Sequence, residues 1–323
     1  MPTPNPPRFV SVAAAPDLEP GAELAAGLLA ERPFISPKFL YDALGSALFV
    51  AITELDEYYP TRTEAQLMAS HERAIAAAVR RALPGAFPLV DLGAGNGAKA
   101  ERLFASLQPA SYVAVDIAMD CLRPALLALA ERHPSLPMVG VACDFSRRLV
   151  LPAATIEGPA LVFYPGSSIG NFAPDEAVQL LRQARELARG GTLLIGADLV
   201  KPKGILEAAY DDALGVTAAF NLNLLRHANR LLGSDFRPCD WQHVALFNET
   251  ASRIEMHLRS RIDSWVRWPG HERHFAVGAR IHTENSYKWT PESFAALLER
   301  AGWRGVDAWF DERRWFGVFF ARA

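Results

Sequence analysis

Cysteine is scarce in this chain of 323 residues, and the three present, Cys121, Cys143 and Cys239, stand far apart. No Cys-x-x-Cys occurs and no Cys/His cluster has zinc spacing, so neither a disulfide framework nor a metal site is expected. Free thiols suit a reducing compartment, and the expected location is cytoplasmic. Long apolar runs are also missing. Stretches such as Ala160–Tyr164 and Leu193–Ala197 fall far short of the roughly 20 residues of a membrane helix. A secretory signal is not expected either, because no basic segment precedes a long apolar one. Charge of one sign is not in excess: 33 Lys and Arg face 36 Asp and Glu, a formal net charge of -3. No broad field therefore favours nucleic acid or an anionic membrane, and neither is expected as a partner. No internal repeat is visible. Biased composition is confined to the start, with Pro2, Pro4, Pro6 and Pro7, and residues 1–12 are expected to form a disordered tail.

What is present is ordinary globular material, 50% hydrophobic and 21% charged, with enough length for two domains. The central third alternates short apolar runs with helical patterns. Strands are expected at Pro88–Leu92, Tyr112–Val115, Met138–Ala142, Leu161–Tyr164 and Gly191–Ala197. Helices are expected at Ala98–Leu107, Met119–Arg132 and Asp175–Arg189. Such alternation implies an α/β, doubly wound, mostly parallel sheet covered on both faces. Helix Pro291–Ala301 and the runs Val306–Phe310 and Phe316–Ala321 would end it in an antiparallel hairpin. After Lys201 the pattern changes to one helix or two over Leu206–Leu232, then to period-two runs at His243–Phe247, Ile254–Leu258 and Arg280–Lys288. An inserted α+β domain is expected from 13–63 plus 200–289, and the doubly wound domain from 64–199 plus 290–323.

The segment Val90-Asp91-Leu92-Gly93-Ala94-Gly95-Asn96-Gly97 falls where the first strand meets its helix. Glycines there let a ligand approach the backbone beside free helix N–H groups. Gly93, Gly95 and Ala98 also fit the dinucleotide pattern, so the turn alone does not choose a ligand. The acids do more. Asp91 stands where a nicotinamide fold is usually apolar. Asp116 closes the second strand, where a carboxylate can accept both ribose hydroxyls. Asp144 closes the third, beside Phe145, where an exocyclic amine and a base can be held. Three strand-end carboxylates point to S-adenosylmethionine, a cationic donor with a nucleoside, although each alone could be a cap or a solvated loop charge.

The fourth strand runs into Pro165-Gly166-Ser167-Ser168-Ile169-Gly170-Asn171-Phe172. Small residues leave room for substrate there, and Asn171 can donate and accept, or simply cap a helix at Pro174. Upstream, Glu57-Tyr58-Tyr59-Pro60-Thr61-Arg62-Thr63-Glu64 reads as an extended pair before proline followed by a Thr61/Glu64 capping box. Capping does not account for the paired tyrosines.

In these and further blocks the chain resembles the bacterial histidine N-alpha-methyltransferases of ergothioneine biosynthesis. The blocks are Tyr41–Phe49, Glu57–Glu64, Gly166–Asn171, Gly196–Lys201, Ala209–Asp212, Gly215–Asn221, His243–Ala245, Ile254–Met256 and Thr283–Lys288. They span the chain from about residue 33 to its end. The resemblance implies a class I methyltransferase-like domain, with the insert forming a substrate domain that closes over L-histidine. By position, Tyr58, Gly93, Gly95, Lys99, Asp116, Asp144 and Phe145 would line the S-adenosylmethionine site. Tyr41, Phe49, Tyr58, Asn171, Tyr210, Met256, Glu284 and Ser286 would surround the amino acid. Glu284 and Ser286 match positions facing the imidazole, and Asn171 and Tyr210 match positions holding the amino-acid head. Tyr58, Asn171 and Tyr210 would serve catalysis, without a metal. Read without the family, Glu284 and Ser286 are rather a solvent face of a strand, and Met256 is core.

The implied reaction is in-line attack of the neutral α-amine on the sulfonium methyl, driven mainly by positioning. Repeated three times it yields the trimethylammonium betaine hercynine, the first step toward ergothioneine. A monomer is expected. Other readings remain open on sequence: the same chemistry on an aromatic amino acid, a non-catalytic S-adenosylmethionine or histidine sensor, or a nicotinamide dehydrogenase, against which Asp91 speaks.

Overall fold

The computed structural model describes residues 6–12, 19–152 and 155–323. In chain order the elements are β1 (Arg8–Ser11), α1 (Pro20–Leu29), α2 (Ala43–Thr53), α3 (Tyr59–Ala82), β2 (Pro88–Leu92), α4 (Ala98–Leu107), β3 (Ser111–Asp116), α5 (Met119–Arg132), β4 (Met138–Ala142), β5 (Leu161–Tyr164), α6 (Pro174–Ala188), β6 (Thr192–Asp198), α7 (Lys203–Ala208), α8 (Val216–Leu232), β7 (Trp241–Asn248), β8 (Arg253–Ser260), β9 (Ser264–Trp268), β10 (His271–Phe275), β11 (Arg280–Tyr287), α9 (Pro291–Arg300), β12 (Arg304–Phe310) and β13 (Phe316–Arg322). They fall into two compact units. Unit 1 comprises 1–14, 60–200 and 289–323, and unit 2 comprises 15–59 and 201–288.

Unit 1 is an α/β unit on an eight-stranded sheet of order β1-β4-β3-β2-β5-β6-β13-β12. Pairings from β1 to β6 are parallel, and β13 enters antiparallel between β6 and β12. Strand order reverses direction beside β2, which places the ends of β2, β3 and β5 at a topological switch point. The inner strands are buried on both faces, as parallel strands covered by helices are: all four residues of β5 and all five of β2 are buried, Asp91 being the one acid among them. Helices α3, α4 and α5 cover the sheet with stripes such as Ile75, Val79, Leu103, Leu107, Leu122, Leu126 and Leu129.

Two expectations are corrected in unit 1. Residues 8–11 of the expected disordered tail form an edge strand, pairing Arg8 to Val139 and Ser11 to Ala142. Phe9 and Val10 supply the apolar content that a tail reading discounts; residues 1–5 lie outside the described residues. The Thr61/Glu64 capping box does not form, because α3 already begins at Tyr59. Pro60 is tolerated in the first turn, where backbone N–H groups lack helical partners anyway.

Unit 2 contains a three-stranded antiparallel sheet, β11-β8-β7, with helices α1, α2, α7 and α8 and a separate hairpin of β9 and β10. That hairpin is absent from the sequence reading; Pro269-Gly270 between Trp268 and His271 is the turn signal that marks it. Of the one or two helices expected over Leu206–Leu232 there are two, since Gly215 takes φ +75° immediately before α8. In β11 the expected alternation is interrupted. His282 faces His257 and Glu284 faces Met256, so Thr283 is an extra residue in a bulge. The bulge keeps Glu284 on the same face as Ile281 and sends His282 to the other.

Candidate functional site

In unit 1, chemistry-bearing residues gather at the C-terminal ends of β2, β3 and β4. Gly93 and Gly95 have φ of +70° and +55°, conformations that glycine adopts without cost. A Cβ at Gly95 would meet no atom within 4 Å, and one at Gly93 only the tip of Phe145 at 3.8 Å. The turn is therefore open on that side. It is fastened to the next strand: Gly93 and Ala94 donate to the Val115 carbonyl, and Gly95 N–H donates to Asp116 Oδ2 at 2.8 Å. Asp116 Oδ1 accepts from Ala118 N–H at 3.0 Å. Each carboxylate oxygen has a second lone pair, so Asp116 can still accept from two hydroxyls. At the end of β4, Asp144 Oδ1 accepts from the backbone and hydroxyl of Ser146. Phe145, half-buried, stands edge-on to Tyr164.

Asp91 does not belong to this exposed set. It is buried within β2, accepts from Tyr112 Oη at 2.8 Å, and has a second oxygen with no partner among the described residues. Burial pushes its carboxyl up to about 7, against the opposing hydrogen bond from Tyr112. Two accessible strand-end acids, not three, therefore face outward.

Lys99 donates to Glu64 Oε2 at 2.6 Å, and Glu64 Oε1 accepts the backbone N–H of Gly166 at 2.7 Å. Glu64 is buried, so the sequence reading of it as a helix cap missed its function as an anchor. Asn171 ends the 3-10 turn Ser168–Asn171, half-buried. Its side-chain amide has no hydrogen-bond partner among the described residues.

In unit 2 a pocket is walled by Tyr41, Phe49, Tyr58, Tyr210 and Phe220 and floored by Met256 and Glu284. Its walls are rings set edge to face: Tyr41 and Phe49 at 5.6 Å, Phe49 and Tyr58 at 6.1 Å, Tyr58 and Tyr210 at 6.2 Å. Such aromatic walls suit a flat ring or an alkylammonium cation. The pocket thus unites six of the expected substrate residues, and Ser286 joins them by hydrogen bond. Met256 and Glu284 are register partners on β8 and β11, which sets them side by side. Burial raises the Glu284 carboxyl to about 7, with Lys288 pulling the other way.

Ser286 Oγ accepts from Tyr210 Oη at 2.7 Å and from Lys288 Nζ at 2.8 Å. Lys288 Nζ also donates to Tyr210 Oη at 3.0 Å, and it is buried. The backbone of Tyr210 is fixed from below: His243 Nε2 meets the Tyr210 carbonyl at 2.8 Å, and His243 Nδ1 meets Asn221 Nδ2 at 2.9 Å. That pattern requires a neutral ring donating from Nε2, in keeping with burial, which lowers its pKa. The sequence reading gave no role to Lys288 or His243. The two-residue spacing of Glu284, Ser286 and Lys288 is the signal that brings Lys288 into the set. No group of three or more His, Cys, Asp or Glu side chains among the described residues is placed to hold a metal ion. No described helix is long and apolar enough to cross a membrane.

Comparison with known proteins gives a consistent picture. The family model described as histidine-specific methyltransferase, SAM-dependent, matches residues 21–323. A histidine N-alpha-methyltransferase of Mycolicibacterium smegmatis is 40% identical over 307 residues, 93% of each chain. One of Mycobacterium tuberculosis is 35% identical over 315 residues, again 93% of each. The ergothioneine biosynthesis protein 1 of Neurospora crassa is 28% identical over 279 residues, covering 84% of this chain and 31% of that protein.

Proposed function

Because the chain belongs to the SAM-dependent histidine-specific methyltransferases, we propose that it methylates the α-amino group of L-histidine, ending at the trimethylated betaine hercynine and so opening ergothioneine biosynthesis. S-adenosylmethionine supplies an electrophilic methyl on a cationic sulfur that leaves as a neutral thioether. Unit 1 fits that donor: the open turn at Gly93 and Gly95, spare acceptors on Asp116 for ribose hydroxyls, and Asp144 with the Phe145 ring for the base. Lys99 completes the donor set of unit 1 in this reading. Unit 2 is the histidine domain.

The single observation that carries the reading is the buried Glu284 carboxyl beside Ser286 in an aromatic pocket. A carboxyl and a hydroxyl can hold the two nitrogens of one imidazole, and a site whose polar groups would be orphaned by an apolar ring rejects it strongly. Tyr41, Phe49 and Met256 close the remaining sides. Tyr58 and Tyr210 border the region that a growing methylammonium must occupy, where ring faces tolerate the cation. The protein's own contribution to rate is then binding and orientation, an effect worth roughly 7–11 kcal/mol in favourable cases. A monomer acting in the cytoplasm, with no nucleic-acid or membrane partner, completes the reading.

The test is mass spectrometry of reactions with S-adenosylmethionine and each amino acid in turn, tryptophan and tyrosine included. One, two and three methyl groups added to histidine are expected. Methylation of another amino acid with none on histidine would overturn the reading.

A further inference from the structure

The hydrogen bonds around Ser286 have a direction. A serine oxygen has two lone pairs and one hydrogen. The phenol is the more acidic of the two hydroxyls, so Tyr210 Oη donates into one lone pair, and Lys288 Nζ, which can only donate, fills the other. Ser286 is buried, and its hydrogen goes to no acceptor among the described residues. The same face of the strand carries Glu284, an acceptor when ionised. Across from Ser286 and Glu284, β8 presents only the apolar Ile254 and Met256. Among the described residues the titratable groups bonded to Ser286 are Tyr210 and Lys288, with Glu284 two residues before it on the same face of the strand.

We infer that Lys288 is a specificity-determining positioning residue: by filling Ser286 together with Tyr210, it turns the serine hydroxyl into an obligate donor, so that the site accepts the imidazole ring of histidine only as the neutral tautomer whose bare nitrogen faces Ser286. The inference rests on the histidine reading above and deepens it. A neutral imidazole has one N–H and one bare nitrogen, matching an acceptor at Glu284 and a donor at Ser286. An imidazolium has two N–H groups, one of which would point at the Ser286 hydrogen while its charge lay near the Lys288 cation. With Lys288 absent, Ser286 regains a lone pair, rotates, and takes either form of the ring. Lys288 itself does not touch the reacting atoms; it acts through Ser286.

The experiment compares binding of L-histidine and of 1,2,4-triazolylalanine, whose ring stays neutral at mildly acidic pH, by calorimetry between pH 5 and 8 with saturating S-adenosylhomocysteine. Taking the ratio of the two Kd values cancels titration of Glu284 and of the shared amino-acid head. In the native protein the ratio of histidine to triazolylalanine Kd should rise about tenfold per pH unit below the imidazole pKa near 6.5. In Lys288→Met the rise should shrink to roughly threefold per unit or less, with S-adenosylhomocysteine affinity unchanged. A flat ratio in the native protein overturns the inference without any variant, while leaving histidine as substrate intact. A Lys288→Met protein with the native slope also overturns it. Absence of histidine binding at every pH removes the functional reading itself and this inference with it.

Discussion

Glu64 accepts the backbone N–H of Gly166 at 2.7 Å, joining two positions 102 residues apart inside unit 1. Its second oxygen holds Lys99 at 2.6 Å. A Cβ at Gly196 would run into Glu64 Oε1 and the Phe316 ring, so Gly196 makes room for this carboxyl. Glu64→Ala would leave the half-buried Gly166 N–H without its charged acceptor, at a cost of about 1–3 kcal/mol. Glu64→Gln keeps one acceptor oxygen and should lose less. Lys99→Met should cost under about 1 kcal/mol, because the lysine side chain is 40% exposed and its ion pair is screened. Urea unfolding of the three variants checks the order; equal stability of Glu64→Ala and the native protein would contradict it.

Glu284 should make stability fall with rising pH. Burial lifts its carboxyl from 4.5 to about 7 in the folded protein. Between those values the folded state binds more protons than the unfolded one, so stability is full below about 4.5 and is lost as pH rises, the loss being complete above about 7. The size is about 3 kcal/mol at most. Glu284→Gln cannot titrate. Its stability relative to the native protein should therefore grow between pH 5 and pH 8, measured by denaturant unfolding at both. Asp91 titrates in the same direction but is present in both proteins and cancels. A difference that stays constant with pH would show that Glu284 is not held in an apolar setting.

Legibility follows the range of the interactions. The strands of unit 1 are readable because each buried parallel strand is a short apolar run, as in Leu161-Val162-Phe163-Tyr164. Gly93 and Gly95 are readable because only glycine is comfortable at their φ. Asp116 and Asp144 are readable as strand-end acids. Asp91 looks the same in one dimension, yet one residue of offset along β2 turns it inward onto Tyr112. Glu64 hides for a related reason, since a local capping box explains it until Gly166 arrives from far along the chain. In β11 the period-two pattern gives Glu284 and Ser286 a common face, but nothing local announces the bulge at Thr283 that separates them from His282. The donors to Ser286 come from Tyr210 and Lys288, and only folding brings the first of these to the strand.

Phe49 is the hub of the pocket wall. Its ring lies 5.6 Å from Tyr41, 6.1 Å from Tyr58 and 6.1 Å from Phe220. Phe49→Ala removes three ring contacts at once. The residue is half-buried, so the stability cost should be roughly 2 kcal/mol, below that of a fully buried phenylalanine. The larger effect should fall on histidine, with KM raised roughly tenfold or more and S-adenosylmethionine affinity little changed. Phe49→Leu restores apolar volume without the edge-to-face geometry, and should recover stability better than KM. Initial-rate kinetics beside thermal melting separates the two effects.

The open side of Gly95 makes a sharper demand. Valine there must adopt φ near +55°, a strain of about 1–3 kcal/mol for a branched residue. It clashes with nothing, since no atom lies within 4 Å of the added Cβ. Loss of stability should therefore be limited to that strain. Loss of donor binding should be larger, because the new side chain fills the space that the nucleoside approaches, and S-adenosylmethionine Kd should rise on the order of 100-fold, about 2.7 kcal/mol. Asp116→Asn offers the complementary case. It leaves the Gly95 turn without a full carboxylate partner and replaces two acceptors by one, so Kd should rise roughly 10-fold or more with little change in melting temperature. Calorimetric titration with S-adenosylmethionine decides both. If Gly95→Val bound the donor as tightly as the native protein, the donor would have to lie away from this turn, and the assignment of Asp116 to its ribose would fall with it.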